Sequence, residues 1–252
     1  MRLKLVFEVS QKEFPKDYRR FFMSFIKQSL NEVDHEFYEK NYGVGKKVSK
    51  PFTFAIYFVR PKFQKDTIQL EENRVTMNIS FGSYEYGIRF YNGFVQQLQN
   101  KFSLNDHSYM SLKSITLSQE KKISEKIVRI KTLSPIIVRH HEQSDNRKDR
   151  YIKYSDEEFV EQLKITILSN VQKCGYIEAY EGEINEKVNE LGIKPLRMKS
   201  VPVYHFADRL GIYLEGNIGE LLLEGDSKLI EQIYKIGIGS RRSQGFGMIE
   251  VV

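Results

Sequence analysis

Residues 237–252, GIGSRRSQGFGMIEVV, form a basic glycine-rich loop that runs into a short apolar strand. Glycine adopts positive φ and lets a backbone approach a ligand closely. Consecutive exposed amides in such a loop form an anion-binding concavity, and paired arginines favour phosphate as the anion. The loop lacks the Lys-Ser/Thr pair of a nucleotide P-loop, and no Rossmann unit surrounds it. The pattern therefore predicts a loop that clamps the backbone of RNA.

The composition is that of a folded protein with an excess of positive charge. The chain has 252 residues, of which 40% are hydrophobic, and this is enough for a packed core. Lysine and arginine total 39 against 33 acidic residues, which gives a net charge of +6. The excess favours a polyanionic partner, although solubility alone also accounts for a modest net charge.

The rest of the composition excludes several classes of protein. Cys174 is the only cysteine, so an intramolecular disulfide and a multi-cysteine metal site are excluded. We expect no metal and no cofactor. Residues 1–5 alternate as a strand does rather than forming a signal peptide, and no apolar run is long enough to span a bilayer. These features predict a cytoplasmic protein with no membrane partner.

The first half of the chain follows the order strand, helix, strand, strand, helix, strand. Alternating apolar residues predict strands, and apolar residues at helical spacing predict helices. The predicted elements are strand 3–9, helix 16–30, strand 52–59, strand 74–81, helix 86–101 and strand 108–117. Residues 31–50 are polar, basic and glycine-containing, which predicts a loop or a frayed helix end.

The second half repeats this order. Its predicted elements are strands 127–132 and 136–139, helix 156–173, a hairpin of 193–204 with 210–223, helix 227–235 and the final strand. Ser155, with Glu158 three residues later, is the predicted N-cap of the first of these helices. The polar residues 140–153 are a predicted connection. We therefore predict an α+β protein of two tandem ferredoxin-like (RRM-like) βαββαβ domains, residues 1–120 and 121–252.

Four segments resemble those of a known family, in the same order along the chain. GIGSRRSQGFGM at 237–248 resembles the glycine-rich signature of the RAMP superfamily, and most of all that of the CRISPR-associated endoribonuclease that cuts precursor CRISPR RNA within its repeats. KPFTFA at 50–55 is similar to the segment after that family's catalytic loop. TLSPIIV at 132–138 resembles the opening of its second domain, and LSNVQKC at 168–174 the end of the helix that follows.

The resemblance implies a fold, an activity and partners. It implies two ferredoxin-like domains, binding of CRISPR repeat RNA, and metal-independent cleavage of precursor CRISPR RNA that leaves a 5′-hydroxyl and a 2′,3′-cyclic phosphate. The further partners that it suggests are subunits of a CRISPR effector complex and a second copy of the chain, because dimerisation is common in the family.

This cleavage needs a base for the 2′-hydroxyl, an acid for the leaving 5′-oxygen and positive charge beside the phosphorane. His35 follows the first helix, where many family members carry a catalytic histidine, and imidazole exchanges protons near neutral pH. The alternative for His35 is a solvated residue at a helix end. Tyr18 fits the family layout better than Tyr38 or Tyr42 as an assisting residue, although a tyrosine on an amphipathic helix more often packs in a core.

A lysine is expected to stabilise the phosphorane. The candidates lie in the loop after His35, and Lys47 is our first choice, Lys50 the second and Lys46 the third. The alternative is a solvated basic loop.

RNA binding is assigned to the glycine-rich loop and to the predicted hairpin. We expect Arg241 and Arg242 to contact phosphates, and the alternative is a tight turn whose arginines lie in water. The assisting backbone amides are those of Gly237, Gly239, Gly245 and Gly247. On or beside the predicted hairpin, four basic residues are expected to hold a repeat stem-loop or its flank, and the alternative for about half of them is ordinary surface charge: Lys194, Arg197, Lys199 and Arg209.

Two other functions and one other site remain alternatives. The protein would be a non-catalytic RAMP RNA-binding subunit of a CRISPR effector complex if His35 has no catalytic role. A generic RNA-recognition module is disfavoured because no aromatic signature lies on a strand. His140 and His141 are adjacent, so on a strand they would point to opposite faces and would not share one site.

Overall fold

The computed structural model describes residues 1–46, 48–140, 150–174, 183–207 and 210–252. Alternation in the first strand sets the architecture of the first unit, because Leu3, Leu5, Phe7 and Val9 are all buried on one face. The elements of this unit are β1 Arg2–Val9, β2 Glu13–Pro15, α1 Tyr18–Val33, α2 His35–Tyr42, β3 Phe52–Phe58, β4 Lys62–Phe63, β5 Thr67–Gln69, β6 Arg74–Phe81, α3 Tyr84–Gln96, β7 Lys101–Asn105 and β8 Ser108–Ser118.

The main sheet of the first unit has the order β3-β6-β1-β8-β7. Strand β1 is central, and Leu5 pairs with Met77 on one side and Ile115 on the other. Helices α1 and α3 cover one face, where Phe7 packs edge-to-face against Phe22 and Phe25. Omitting the added edge strand β7, this is the strand order of a ferredoxin-like unit. Strands β2, β5 and β4 form a small separate sheet that the alternation pattern did not indicate.

Residues 31–50, predicted as a loop or frayed helix end, contain the helix α2. The Asp34 carboxylate accepts a hydrogen bond from the Phe37 amide at 3.0 Å and so caps the helix. Phe37 packs edge-to-face on Tyr86 of α3, with ring centroids 5.1 Å apart. This tertiary contact stabilises a short polar helix whose composition alone does not indicate it.

The second unit repeats the fold. Its elements are β9 Ile127–Thr132, β10 Arg139–His140, β11 Arg150–Tyr151, α4 Phe159–Cys174, α5 Ile184–Glu190, β12 Gly192–Ala207, β13 Leu210–Glu224, α6 Ser227–Ile236, a 3-10 turn Arg242–Gln244 and β14 Ile249–Val251. The sheet order β12-β13-β9-β14 is again ferredoxin-like. Helix α4 begins at Phe159, four residues after the predicted cap Ser155, because residues 154–158 form a turn. The turn of the predicted hairpin, between residues 204 and 210, lies partly outside the described residues.

The two units meet along a buried seam, which we define as residues 237–248 of the second unit packed on α1 and β3 of the first. The Thr53 hydroxyl donates to the Phe246 carbonyl at 2.7 Å. Beyond the seam, the Arg2 guanidinium donates to Glu250 at 2.9 Å, and the Ser80 hydroxyl donates to the Lys235 carbonyl at 2.7 Å. The units are therefore joined by buried polar contacts as well as by apolar packing.

The predicted fold class is confirmed: the protein is α+β, with two tandem ferredoxin-like units. The division at residue 120 stays a prediction; β8 ends at Ser118 and β9 begins at Ile127. In the described part of the chain, no helix combines the length and the apolar character needed to cross a membrane.

Candidate functional site

His35 is the first residue of α2, at the sharp junction with α1, and its side chain is exposed. Asn31 lies one turn earlier on α1, and its Oδ1 is 2.7 Å from His35 Nδ1. When Nδ1 carries the proton it donates to Asn31, and Nε2 is left as the free acceptor. At this junction Nδ1 of His35 is held by Asn31, and Nε2 faces the solvent.

A row of aromatic rings runs from His35 along α2. The His35 ring lies 6.3 Å from the Tyr38 ring, and the Tyr38 ring stacks on the Tyr42 ring at 5.6 Å. The Lys50 ammonium is 4.6 Å from the Tyr42 ring centre, and the Lys27 ammonium is 5.3 Å from it. Since α2 rises by 1.5 Å per residue, the row from His35 to Tyr42 is about 10 Å long. We call these five residues the α2 row.

Burial sets the electrostatics at the far end of the α2 row. It lowers the pKa of Lys50, and the neighbouring Lys27 ammonium lowers it further. It also raises the pKa of the Tyr42 hydroxyl far above its ordinary value. Lys46 is exposed, and the first-choice lysine, Lys47, lies outside the described residues. Among the three lysine candidates, the contacts of Lys50 thus connect it to the tyrosines beside His35.

Tyr18 is separated from the α2 row. It is the first residue of α1, whereas His35 follows the last residue of that helix. Seventeen residues at 1.5 Å each place the two about 25 Å apart along the helix axis. Tyr18 packs against Phe58, with ring centroids 5.1 Å apart. The two predicted catalytic residues therefore do not converge on one phosphate, and Tyr38 takes the position beside His35.

The glycine-rich loop uses its amides inside the protein. The amides of Gly237, Gly245 and Gly247 donate to the carbonyls of Ile233, Arg242 and Pro135 respectively. All four glycines of the loop have positive φ. A Cβ on Gly247 would lie 1.8 Å from the Ile238 carbonyl oxygen. The glycines allow the backbone to pack closely at the seam. Because these three amides bond to carbonyls of the protein, they do not form the predicted anion-binding concavity.

Arg242 is buried in the seam, with 4% of its surface exposed. Its guanidinium donates to the Ile236 carbonyl at 2.8 Å and to the Ser49 hydroxyl at 3.3 Å, and lies 3.6 Å from the Cys174 sulfur. These contacts join three parts of the fold. Arg242 was predicted to contact phosphate, but in this position its donors are turned to the protein interior.

Arg241 is half-buried and has the left-handed φ of 58°. Its guanidinium donates to the Gln244 side-chain oxygen at 3.2 Å and the Tyr151 hydroxyl at 3.4 Å, and reaches His205 Nε2 at 3.5 Å. The His205 side chain is 5% exposed. Burial, and then the charges of Arg241 and Arg19, lower the pKa of His205 to about 4.

The predicted hairpin cations Lys194, Arg197 and Lys199 are all exposed on β12. A β-bulge between Pro195 and Arg197 changes the register, so that the three face the same side of the sheet. With Lys131 of β9, Arg197 and Lys199 line a cleft of about 500 Å³. The fourth predicted hairpin residue, Arg209, lies outside the described residues.

Two further cations on this sheet face were missed in the sequence. Arg129 and Lys131 of β9 pair with Leu222 and Glu220 of β13, so they share the face with Arg197. Hydrogen bonding from Arg129 lowers the pKa of Glu220 and keeps this carboxylate ionised. The basic residues at the alternating positions 129 and 131 of a predicted strand were the available signal.

The histidine pair gives no metal site in the described part of the chain. His140 Nδ1 lies 3.3 Å from a Glu158 carboxylate oxygen, and His141 falls outside the described residues. No group of three or more His, Cys, Asp or Glu side chains suited to a metal ion occurs among residues 1–46, 48–140, 150–174, 183–207 and 210–252.

Comparison with known proteins decides the family. The model of the family "CRISPR associated protein Cas6, C-terminal" matches residues 118–251, which is more than half of the chain. The chain belongs to the Cas6 family. No curated protein matches this Cas6 chain by sequence. Membership makes it a RAMP-type CRISPR protein, and it supports CRISPR repeat RNA binding and processing as the general function.

Solved structures share the fold over the whole length of this Cas6 chain. A Cas6-related protein from Pyrococcus furiosus is 19% identical, with a TM-score of 0.83 over 100% of this chain and 98% of that one. A RAMP protein that binds different RNA substrates is 19% identical, with a TM-score of 0.82 over 100% and 99%. A Cas6 product complex is 15% identical, with a TM-score of 0.71 over 100% of both chains. At these identities the likeness shows the fold alone.

Proposed function

We propose that this Cas6 protein is an endoribonuclease that cleaves precursor CRISPR RNA within its repeats, without a metal ion. The observation that carries the proposal is the α2 row, in which an exposed histidine is followed by two stacked tyrosines and, at the far end, by two lysines. Histidine is the side chain suited to proton transfer at neutral pH, and lysine supplies positive charge beside an RNA phosphate.

In the proposed reaction, Nε2 of His35 accepts the proton of the 2′-hydroxyl at the cleavage site. The 2′-oxygen attacks the adjacent phosphorus, the bond from phosphorus to the 5′-oxygen breaks, and that oxygen leaves with a proton from water. The products are a 2′,3′-cyclic phosphate and a 5′-hydroxyl. Lys50 lies about 10 Å along the row, so we assign it to the phosphate next to the scissile one.

RNA binding is proposed for two surfaces. Arg241 at the seam is one, because its side chain is half-buried and reaches the surface. The face of the second sheet is the other, with exposed cations on neighbouring strands that form a basic cleft. The cations of this face are Lys194, Arg197, Lys199, Arg129 and Lys131. Arg242 is assigned to holding the seam.

The second candidate function is a non-catalytic RNA-binding subunit of a CRISPR effector complex. The basic cleft and Arg241 serve that function equally well, so only the α2 row distinguishes the two. Association with effector subunits, pairing with a second copy and a cytoplasmic location stay predictions from the sequence.

The test is cleavage of a labelled RNA carrying the source's own repeat, in EDTA. The wild type should cut it, a 2′-deoxy substitution at the scissile nucleotide should block cutting, and His35→Ala should lower the rate at least about 100-fold while binding is retained. The control is His107→Ala, because His107 is an exposed histidine in the turn between β7 and β8. Tight binding without cutting by the wild type would favour the effector-subunit function.

A lysine series assigns the positive charge. Lys50→Met is expected to lower the cleavage rate about tenfold or more, because the Lys50 ammonium lies 4.6 Å from the Tyr42 ring centre in the α2 row. Lys46→Met is expected to change the rate little, because Lys46 is exposed. Lys47→Met belongs in the same series as the predicted first choice. Equal small losses for all three would mean general attraction of the RNA backbone.

A further inference from the structure

Helix α3 carries a stripe of apolar side chains on its solvent side. Tyr84, Ile88, Tyr91 and Val95 are exposed by 63%, 50%, 39% and 37%. Their spacings of four, three and four residues place them on one face of the helix, as in the seam of a coiled coil. The opposite face of α3 already packs in the core of the first unit, where Phe90 is buried. The stripe is therefore not needed for that core.

An exposed leucine of the main sheet adds to this stripe. Leu117 of β8 pairs with Leu3, whose side chain lies in the core under the helices, so Leu117 points to the same side of the sheet as α3. Helix α3 passes over the end of β1 beside this pair, where a Cβ on Gly87 would lie 2.8 Å from the Met1 sulfur. Leu117 is 66% exposed. We define the α3 surface as Tyr84, Ile88, Tyr91, Val95 and Leu117.

The size of the α3 surface fits an interface between two proteins. From the exposed fractions, its five side chains leave about 500 Å² of mainly apolar area in the solvent, and an apolar patch of this size is often functional. Homodimer interfaces are about 65% apolar, so this area together with a polar rim corresponds to about 800 Å² buried on each copy. That is the area of a stable interface of standard size.

The arrangement of the stripe selects a second copy of this chain as the occupant. The spacings of four, three and four residues are the same in both directions, so a second α3 that runs antiparallel across a two-fold axis meets the stripe in register. Tyr84 of one copy then lies against Val95 of the other, and Ile88 lies against Tyr91. Each contact sets a larger side chain beside a smaller one, which is how packed layers interdigitate.

The charges beside the stripe are compatible with this pairing. The Arg89 guanidinium turns toward Asp34, with which it forms an ion pair at 2.5 Å. In the antiparallel register, Glu85 of one copy comes close to Gln96 of the other, so a carboxylate meets an amide donor rather than a like charge.

We propose that the α3 surface is the interface of a two-fold symmetric dimer in which two α3 helices pack antiparallel. The sequence likeness suggests a second copy as a partner but assigns no surface to it. The pairing goes beyond the proposed function and needs no RNA, so its test is independent of cleavage.

The first arm of the test is sedimentation equilibrium of the RNA-free protein from about 1 to about 100 μM. The wild-type chain of 29.7 kDa should reach twice that mass with a low-micromolar Kd. Ile88→Asp should weaken the association at least about 100-fold, because it places two carboxylates at the centre of the interface. The matched control is Ile165→Asp, which should leave the Kd unchanged, since Ile165 on α4 is a helix isoleucine of similar exposure.

Thermal unfolding verifies that both variants fold, which is expected because both isoleucines are exposed. A wild type that stays monomeric over the whole range would overturn the proposal and leave the α3 surface to a different protein. A dimer that survives Ile88→Asp would overturn it too, since its interface would lie elsewhere.

The second arm tests the antiparallel register. Tyr84→Lys and Val95→Glu should each weaken the association about tenfold or more, because each places a charge against an apolar side chain. An equimolar mixture of the two variants should recover most of the wild-type affinity, since the antiparallel register brings their opposite charges together. A parallel pair would bring neither substitution near the other. A mixture no stronger than the single variants would therefore show that the proposed arrangement is wrong.

Discussion

Arg242 of the glycine-rich loop donates to the hydroxyl of Ser49, at 3.3 Å across the seam. Ser49 directly precedes Lys50, the lysine at the end of the α2 row. A buried arginine of the second unit therefore holds the segment that carries a proposed functional lysine of the first. The Arg242 guanidinium thus links the seam to the segment that leads into the candidate active site.

Arg242→Gln is predicted to lower the free energy of unfolding by about 3 kcal/mol, because the Ile236 carbonyl loses its buried donor and the remaining contacts are not replaced. Urea unfolding at pH 7 measures the change. The matched control is Arg241→Gln, which affects a half-buried side chain and should cost less than about 1 kcal/mol. Equal costs at the two neighbouring positions would contradict the structural role of Arg242.

Gly247→Ala is predicted to prevent stable folding. The residue has φ of 68°, and a Cβ would lie 1.8 Å from the Ile238 carbonyl oxygen, so both backbones must move. Gly45→Ala is the control, because Gly45 has φ of 76° but a Cβ added there would meet no atom within 4 Å. The control should cost only the left-handed strain of about 1 kcal/mol. Soluble yield and thermal unfolding report the difference, and a folded Gly247→Ala protein would argue against the close contact.

His205 is predicted to make the protein less stable in mild acid. Its pKa is about 4 in the folded protein against an ordinary 6.5, so between these values the unfolded chain binds a proton that the folded chain does not. Stability then falls as the pH drops from about 6.5 toward 4, by about 2 kcal/mol between pH 7 and pH 5 from this group alone.

His205→Gln tests this dependence, with urea unfolding at both pH values in phosphate-free buffer. The wild type should lose about 2 kcal/mol more than the variant between pH 7 and pH 5. His107→Gln, at an exposed turn, should behave as the wild type does. Parallel losses in wild type and His205→Gln would mean that carboxylates alone set the acid response.

Asn31 is predicted to orient His35 for proton transfer. Asn31→Ala should lower kcat about threefold to tenfold with KM unchanged, because the Nδ1 contact at 2.7 Å that fixes the ring is lost. Asn31→Asp should restore much of the rate and move the pH–rate profile to higher pH, since a carboxylate favours the imidazolium. Gln28→Ala, an exposed amide on the same helix, is the control. A profile unmoved in Asn31→Asp would remove Asn31 from the mechanism.

Much of the fold was predictable because strong alternation leaves little choice of structure. Strand β9 was predicted at its observed bounds, and the strands predicted at 52–59 and 74–81 are β3 and β6, with only the last residue of the first differing. Helix α2 was missed because its stability comes from the Asp34 cap and from Phe37 packing on a helix more than 40 residues later. Such contacts leave no local pattern in the sequence.

The candidate site was predicted less completely, and the glycine-rich loop shows why. A loop whose amides face a ligand and one whose amides face its own protein both need glycine at positive φ. Composition likewise cannot tell which of Arg241 and Arg242 points outward. Tyr18 was placed beside His35 by family layout, but the length of α1 separates the two residues. The cations of β9 were visible as alternating positions and were not considered.

The bulge between Pro195 and Arg197 has a consequence for how such a protein can diversify. The glycines of the glycine-rich loop are fixed by backbone shape, so substitutions at them disturb the fold whatever RNA is bound. The exposed positions of β12 that the bulge brings onto one face make few demands on folding. On the RNA-binding role proposed for β12, a lineage whose repeats drift can change these side chains one at a time, while the contact between its two units stays unchanged.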